Sequence, residues 1–179
     1  MIIGLSGYAR SGKDTVAGML MGIHHYQRVA FADKIKKFLY EIDPLIMVNG
    51  VDVRLQGIVD SKGWEDAKTE FPEVRRLLQD LGVGARTLFH DNFWIIEALK
   101  PVKPTDKIVV TDVRFKNEAE IIKGMGGQVW RVNRIGTGPA NDHVSEHDLD
   151  DWGFDAVIEN NSDMPNLIKQ LRKLIETPL

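Results

Sequence analysis

Near the N-terminus an apolar run, Ile2-Ile3-Gly4-Leu5-Ser6, leads directly into Gly7-Tyr8-Ala9-Arg10-Ser11-Gly12-Lys13-Asp14-Thr15. Beyond it Val16, Leu20 and Ile23 recur at helical spacing, with Ala17 and Met21 beside them. A buried strand, a glycine-bearing turn and a helix, with lysine at the helix start, match the pattern G-x-x-x-x-G-K-[ST] at both glycines and at the lysine. Glycines let the backbone curl until successive N–H groups point inward, and the helix adds the positive end of its dipole, so such a turn suits phosphate oxygens. Lys13 then lies across the β- and γ-phosphates and stabilises charge as the terminal phosphoryl group moves. One position departs from the pattern. Asp14 stands where Ser or Thr normally offers magnesium a hydroxyl, although Thr15 follows at once. Magnesium takes oxygen ligands and keeps several waters, so Asp14 and Thr15 both stand as metal candidates. The competing reading is a glycine-bearing strand–helix turn that holds no ligand.

The rest of the chain continues the strand–helix rhythm. Residues 28–31 read as a second strand, followed by Ile35, Phe38, Leu39 and Ile42 at the i, i+3, i+4, i+7 spacing of one helix face. Residues 107–112 and 128–132 read as strands, with a helix over 117–125 between them that Gly126-Gly127 stops. Ala156-Val157-Ile158 makes a fifth strand. A last helix starts near Asp163, a good N-cap with Pro165 in the first turn, and buries Leu167, Ile168, Leu171, Leu174 and Ile175. This alternation predicts an α/β fold, a parallel sheet covered by helices on both faces. Residues 44–104 break the rhythm with Gly50, Gly57, Gly63 and Pro72, then two helix-like runs at 73–81 and 87–99. A segment this long exceeds a simple crossover, so it is expected to be a substrate-binding or lid insertion within one domain of residues 1–179.

Composition removes several classes of function. The chain has 179 residues, 43% hydrophobic and 27% charged, enough for a core of its own. It contains no cysteine, which excludes a disulfide scaffold, a zinc ribbon, an iron–sulfur cluster and thiol catalysis. A net charge of -3 argues against a nucleic-acid partner held by a broad basic face. No apolar stretch approaches the roughly 20 residues of a membrane helix. No basic–apolar–small cleavage pattern opens the chain, so the expectation is a cytoplasmic protein without a membrane partner.

A second element fits the phosphate loop. Ile108-Val109-Val110-Thr111-Asp112 is an apolar strand ending in an aspartate that could orient magnesium or its waters; a turn-forming Asp is the alternative. Arg114 falls near the carboxyl end of that strand, where open α/β sheets bind ligands, and is a candidate to neutralise transferring phosphate; the alternative is a surface ion pair. Holding two phosphate chains in line needs cations between them, and Arg10, Lys13, Lys36, Arg76 and Arg114 can supply them. Asp33 and Asp14 are the nearest base candidates, but an acceptor phosphate is already ionised and requires none. His143-Val144-Ser145-Glu146-His147 matches the inverted zincin pattern H-x-x-E-H, a weak motif that leaves the phosphate loop unexplained. His24, His25 and His90 have no partners at metal spacing. Phe89, Phe93 and Trp94 read as core aromatics more readily than as base-stacking ones, and Trp64 is the better stacking candidate. The acidic run 148–151 reads as solvated surface.

Together these residues resemble the phage deoxynucleoside monophosphate kinases. The resemblance rests on the loop with its unusual Asp14 and on Phe31-Ala32-Asp33-Lys34-Ile35-Lys36. It continues through Val74-Arg75-Arg76-Leu77-Leu78-Gln79-Asp80-Leu81-Gly82, Thr111-Asp112-Val113-Arg114-Phe115-Lys116-Asn117-Glu118, residues 126–134 and His143-Val144-Ser145-Glu146. It spans nearly the whole chain and is thinnest over residues 45–68. It implies a P-loop NTPase fold of the adenylate-kinase kind, with a five-stranded parallel sheet. The implied activity moves the γ-phosphoryl of ATP, with magnesium, to a deoxynucleoside monophosphate. It places Gly7, Arg10, Ser11, Gly12, Lys13, Asp14, Thr15 and Arg134 on the ATP side. Asp33, Ile35, Lys36, Trp64, Arg75, Arg76, Gln79 and Arg114 fall on the acceptor side, and His143 and Glu146 help shape the nucleotide site. A homodimer and, for a phage-encoded chain, the host cytoplasm are consistent with it. The rival readings are a P-loop kinase for phosphomevalonate or dephospho-coenzyme A, an NTP-binding regulatory module, and a zinc hydrolase. The regulatory reading lacks the Asn-Lys-x-Asp segment of guanine-reading switches.

Overall fold

A computed structural model describes residues 1–139, 142 and 144–176. The chain forms two compact units, one made of Met1–Ala30 with Pro101–Leu179 and one of Phe31–Lys100. The first unit begins with β1 (Ile2–Ser6), α1 (Lys13–His24) and β2 (Gln27–Val29). The second holds α2 (Phe31–Ile42), β3 (Leu45–Val48), β4 (Val51–Arg54), α3 (Leu55–Glu70), α4 (Pro72–Leu88) and α5 (Phe93–Leu99). The first is then completed by β5 (Ile108–Val110), α6 (Lys116–Gly124), β6 (Gln128–Asn133), α7 (Val144–His147), β7 (Ala156–Glu159) and α8 (Met164–Glu176).

In the first unit five parallel strands lie in the order β2-β5-β1-β6-β7. All of β1 is buried, which explains why it reads as an uninterrupted apolar run with none of the alternation of a one-sided sheet. Gly4 is required for close approach: a Cβ there would stand 2.8 Å from Ile122 on α6 and 2.9 Å from Val113. On the other face Val16 and Leu20 of α1 and Leu167 and Leu171 of α8 pack with Ile3, Leu5 and Trp130. α8 starts as its sequence dictates, with the Asn166 amide donating to Asp163 Oδ1 at 3.0 Å. Because all five strands run the same way, the segments after Ser6, Val110, Asn133 and Glu159 emerge along one edge of the sheet, where such folds bind ligands.

The second unit departs from the sequence reading in several places, among them the run expected over 87–99, which is split between the end of α4 at Leu88 and α5 from Phe93. Phe31, expected to end a strand, opens α2 and is buried there. The segment after Pro44 forms an antiparallel hairpin, β3 with β4, turned by Asn49-Gly50 at φ 52° and 82°. Both residues lie in the left-handed region that a tight hairpin turn needs. α3 follows, bent at Gly63 (φ 78°). α4 runs on through Gly82 and Gly84, past the expected end at residue 81. Gly82 is a contact point, with Ile35 Cδ1 3.4 Å from where its Cβ would be and its carbonyl accepting from Trp94 Nε1 at 3.0 Å. Leu39, Ile46, Leu55, Ile58 and Val74 form this unit's own core. Among the described residues no helix is long and apolar enough to cross a membrane.

Candidate active site

The loop between β1 and α1 has the backbone its glycines foretell. Gly7 (φ 144°) and Gly12 (φ 101°) take conformations that side chains disfavour, and Arg10 sits at φ 63° on the exposed tip. A Cβ on Gly7 would stand 2.4 Å from the Val132 carbonyl oxygen, and one on Gly12 would stand 2.1 Å from Asn160 Nδ2. Asn160, just beyond β7, donates from that same amide to the Ser11 carbonyl at 2.9 Å. Replacing Gly12 with alanine should therefore strain the backbone and displace Asn160, destabilising the first unit by about 1–3 kcal/mol. Denaturant unfolding checks this; a variant as stable as the parent would show that the loop relaxes freely.

The Lys13 ammonium folds back over the loop, donating to the Gly7 carbonyl at 2.6 Å and the Tyr8 carbonyl at 2.8 Å. Burial, and then the Arg114 guanidinium, pull its pKa down to about 8 from the usual 10.5. A group whose protonated form is disfavoured in a cationic cleft gains most when an anion arrives. A phosphate seated beside Lys13 would raise that pKa, so its binding above pH 8 would also take up a proton. Triphosphate affinity should accordingly be flat below pH 8 and fall above it, approaching about tenfold per unit. Calorimetric titration from pH 7 to 9.5 reads this directly, and affinity that stayed level to pH 9.5 would contradict it. Ser11 is fully buried and its hydroxyl has no hydrogen-bond partner, a state more typical of functional loops than of packed cores.

Beside the loop lies a small cleft lined by Gly7, Tyr8, Arg114, Arg131, Ser145 and Glu146. Arg114 follows β5, where the buried Glu118 accepts from its backbone amide at 2.7 Å and from that of Phe115 at 3.0 Å. Its guanidinium meets the Glu146 carboxylate at 2.7 Å. Asp112 is half-buried just past β5, and Asp14 and Thr15 are exposed on the first turn of α1. Arg134 is exposed where β6 ends, its carbonyl closing a turn with Thr137 at 3.1 Å.

Three residues that the sequence reading did not single out belong to this cluster. Tyr8 Oη donates to Asp150 Oδ1 at 2.8 Å, and Arg131 stacks over the Tyr8 ring at 4.5 Å. The run 148–151 is thus not simply solvated surface. Asp148 accepts from the Lys116 amide at 2.7 Å, Asp151 pairs with the Lys116 ammonium at 2.8 Å, and Asp150 closes on Tyr8. The H-x-x-E-H segment is also differently used: Glu146 faces Arg114, and His147 Nδ1 faces Asp150 at 3.1 Å. His143 lies outside the described residues. Among the described residues no three His, Cys, Asp or Glu side chains gather to hold a metal.

In the second unit Arg75, Arg76 and Gln79 are exposed on α4, and Arg76 pairs with Glu73 at 2.5 Å and with Asp80. Asp33 is exposed in the first turn of α2, Ile35 is half-buried against Gly82, and Lys36 Nζ is 3.6 Å from Glu65. Trp64 packs on the unit's core. Trp94 is buried and Phe93 stacks on Phe89 at 4.9 Å; all three border an apolar groove of about 700 Å³ that also takes in Phe38 and Leu88.

A phosphate loop after the central strand of a parallel sheet, with cations gathered beside it, is the architecture of the P-loop kinases. Shikimate kinase from Aquifex aeolicus shares this fold at 13% identity and a TM-score of 0.50, over 98% of this chain and 96% of that one. Dephospho-CoA kinase from Campylobacter jejuni shares it at 13% identity and a TM-score of 0.50, over 98% and 95%. The profile of the deoxynucleotide monophosphate kinase family matches residues 49–171, and the chain belongs to that family. It is a nucleotide kinase. A candidate deoxynucleotide monophosphate kinase of Acanthamoeba polyphaga mimivirus is 27% identical over 98% of this chain and 96% of its own length. The deoxynucleotide monophosphate kinase of Escherichia phage RB69 is 32% identical over 57% of this chain and 44% of its own.

Proposed function

We propose that the chain transfers the γ-phosphoryl group of ATP to a deoxynucleoside 5'-monophosphate by in-line displacement, giving the diphosphate and ADP. The observation that carries this reading is the Lys13 ammonium, held by the Gly7 and Tyr8 carbonyls at the head of α1. It stands where the α1 dipole and the curled backbone favour negative charge. The donor's phosphates are assigned to Gly7, Arg10, Ser11, Gly12, Lys13 and Thr15, with Arg134 toward the rest of the nucleotide. Arg114 and Lys13 neutralise charge that spreads over the transferring group. Asp14, Thr15 and Asp112 offer only oxygen donors, a set that suits magnesium with several waters retained. When bound, that ion would share the neutralisation of the donor phosphates.

The acceptor is assigned to the second unit, residues 31–100, with Asp33, Ile35, Lys36, Trp64, Arg75, Arg76 and Gln79 as its contacts. Exposed i,i+3 and i,i+4 ion pairs such as those of Arg76 are worth little, so Glu73 and Asp80 do not prevent Arg76 from meeting a phosphate. Arg76→Ala should raise the acceptor KM on the order of tenfold while leaving ATP affinity in place. A selective loss of ATP affinity would reverse the assignment. The reading as a whole is tested by ADP release with magnesium and ATP across a panel of nucleoside monophosphates, shikimate and dephospho-coenzyme A. Turnover confined to an acceptor that is not a nucleotide would overturn it.

A further inference from the structure

Arg131 sits in the middle of β6, between the buried Trp130 and Val132, in register with Ser6 at the last residue of β1. Only 12% of its side chain is exposed. A charge in a strand covered on both faces costs stability unless it is closely partnered, and this one is. Its guanidinium lies 4.5 Å from the centre of the Tyr8 ring and 5.5 Å from that of Phe154, and it is 3.6 Å from Asp150 Oδ1. That same carboxylate oxygen accepts the Tyr8 hydroxyl at 2.8 Å. Tyr8 is therefore fixed twice, by its face and by its tip. Its backbone carbonyl is one of the two that hold the Lys13 ammonium, and it also accepts the Ser11 amide at 3.2 Å.

We propose that Arg131 is a positioning residue for the phosphate loop. Clamped between Tyr8 and Phe154 and anchored by Asp150, it sets the Tyr8 backbone, whose carbonyl takes up the Ser11 amide and holds the Lys13 ammonium in place for the donor's phosphates. A planar cation suits this role, because arginine stacks on a ring while a lysine ammonium does not present a face. The inference rests on the reading of this loop as the donor site.

ATP affinity, measured by equilibrium binding, and the separate KM values for donor and acceptor form the test. Arg131→Gln and Tyr8→Ala should each weaken ATP binding about tenfold, with Arg131→Lys intermediate and the acceptor KM unchanged. The double variant should lose no more than the worse single one, since both break the same contact. ATP affinity equal to the parent's in Arg131→Gln would overturn the proposal. So would parallel losses for donor and acceptor accompanied by a lowered melting temperature, which mark a merely structural residue. If Arg131→Gln does not fold, Tyr8→Ala and Arg131→Lys decide by the same criteria. A parent chain that bound no ATP would instead overturn the donor-site reading, and this proposal with it.

Discussion

Lys13→Ala is expected to abolish measurable phosphoryl transfer, with kcat falling at least about 10²–10³-fold, while the sheet remains folded. Two effects combine in that loss. The first is the missing positive charge at the terminal phosphate during transfer. The second is local: with no ammonium between them, the Gly7 and Tyr8 carbonyls lose the donor that draws them together at 2.6 and 2.8 Å. Removing a partly buried cation from beside Arg114 also relieves repulsion, so the melting temperature should hold or rise. Lys13 is protonated at a cost below pH 8, and its folded-state pKa lies under the unfolded one. In the parent, stability drawn from this group therefore increases as pH rises from about 8 toward 10.5, and Lys13→Ala should remove that increment. Circular dichroism melts beside initial-rate assays separate the two expectations. Turnover at the parent rate would refute the assignment of Lys13.

Arg114→Ala is expected to be the next most damaging change, lowering kcat on the order of 10²-fold with a smaller effect on ATP affinity. The guanidinium is held by Glu146, whose side chain is only 9% exposed, and its backbone is fixed by Glu118. An arginine placed this rigidly pays little reorganisation when charge develops. The pairing with Glu146 also defines a complementary variant. Glu146→Gln keeps the shape and weakens the hold on Arg114, so it should cost far less than loss of the guanidinium. Arg114→Ala and Glu146→Gln of equal severity would indicate that the pair maintains the cleft instead of serving the phosphate. Rapid-quench measurement of a single turnover distinguishes the chemical step from product release.

The loop and the sheet were legible because their demands are local. A curled phosphate loop needs glycines at set positions and a lysine at the helix start, and strands buried on both faces need unbroken apolar runs such as Ile108-Val109-Val110. Asp163 announced α8 by the same kind of short-range chemistry. The hairpin of β3 and β4 was less visible, although Asn49-Gly50 between Val48 and Val51 carried its signal, because both strands are only four residues long and mostly exposed, and β4 alternates apolar with charged residues. What stayed hidden was the clamp on Tyr8. Asp150 is 142 residues from Tyr8 and sits in an acidic run that reads as surface, so only the folded register brings them together. Arg131 gave one clue: a lone cation inside an apolar strand requires a reason to be there.

The central claim is that the phosphate held by Lys13 moves to a nucleotide. It is tested most directly with ATP carrying a labelled γ-phosphate, magnesium and a deoxynucleoside monophosphate, followed by separation of the products. The label should appear in the deoxynucleoside diphosphate, in step with ADP, and not in Lys13→Ala. Label released only as inorganic phosphate, or passed to no nucleotide in the panel, would contradict the account.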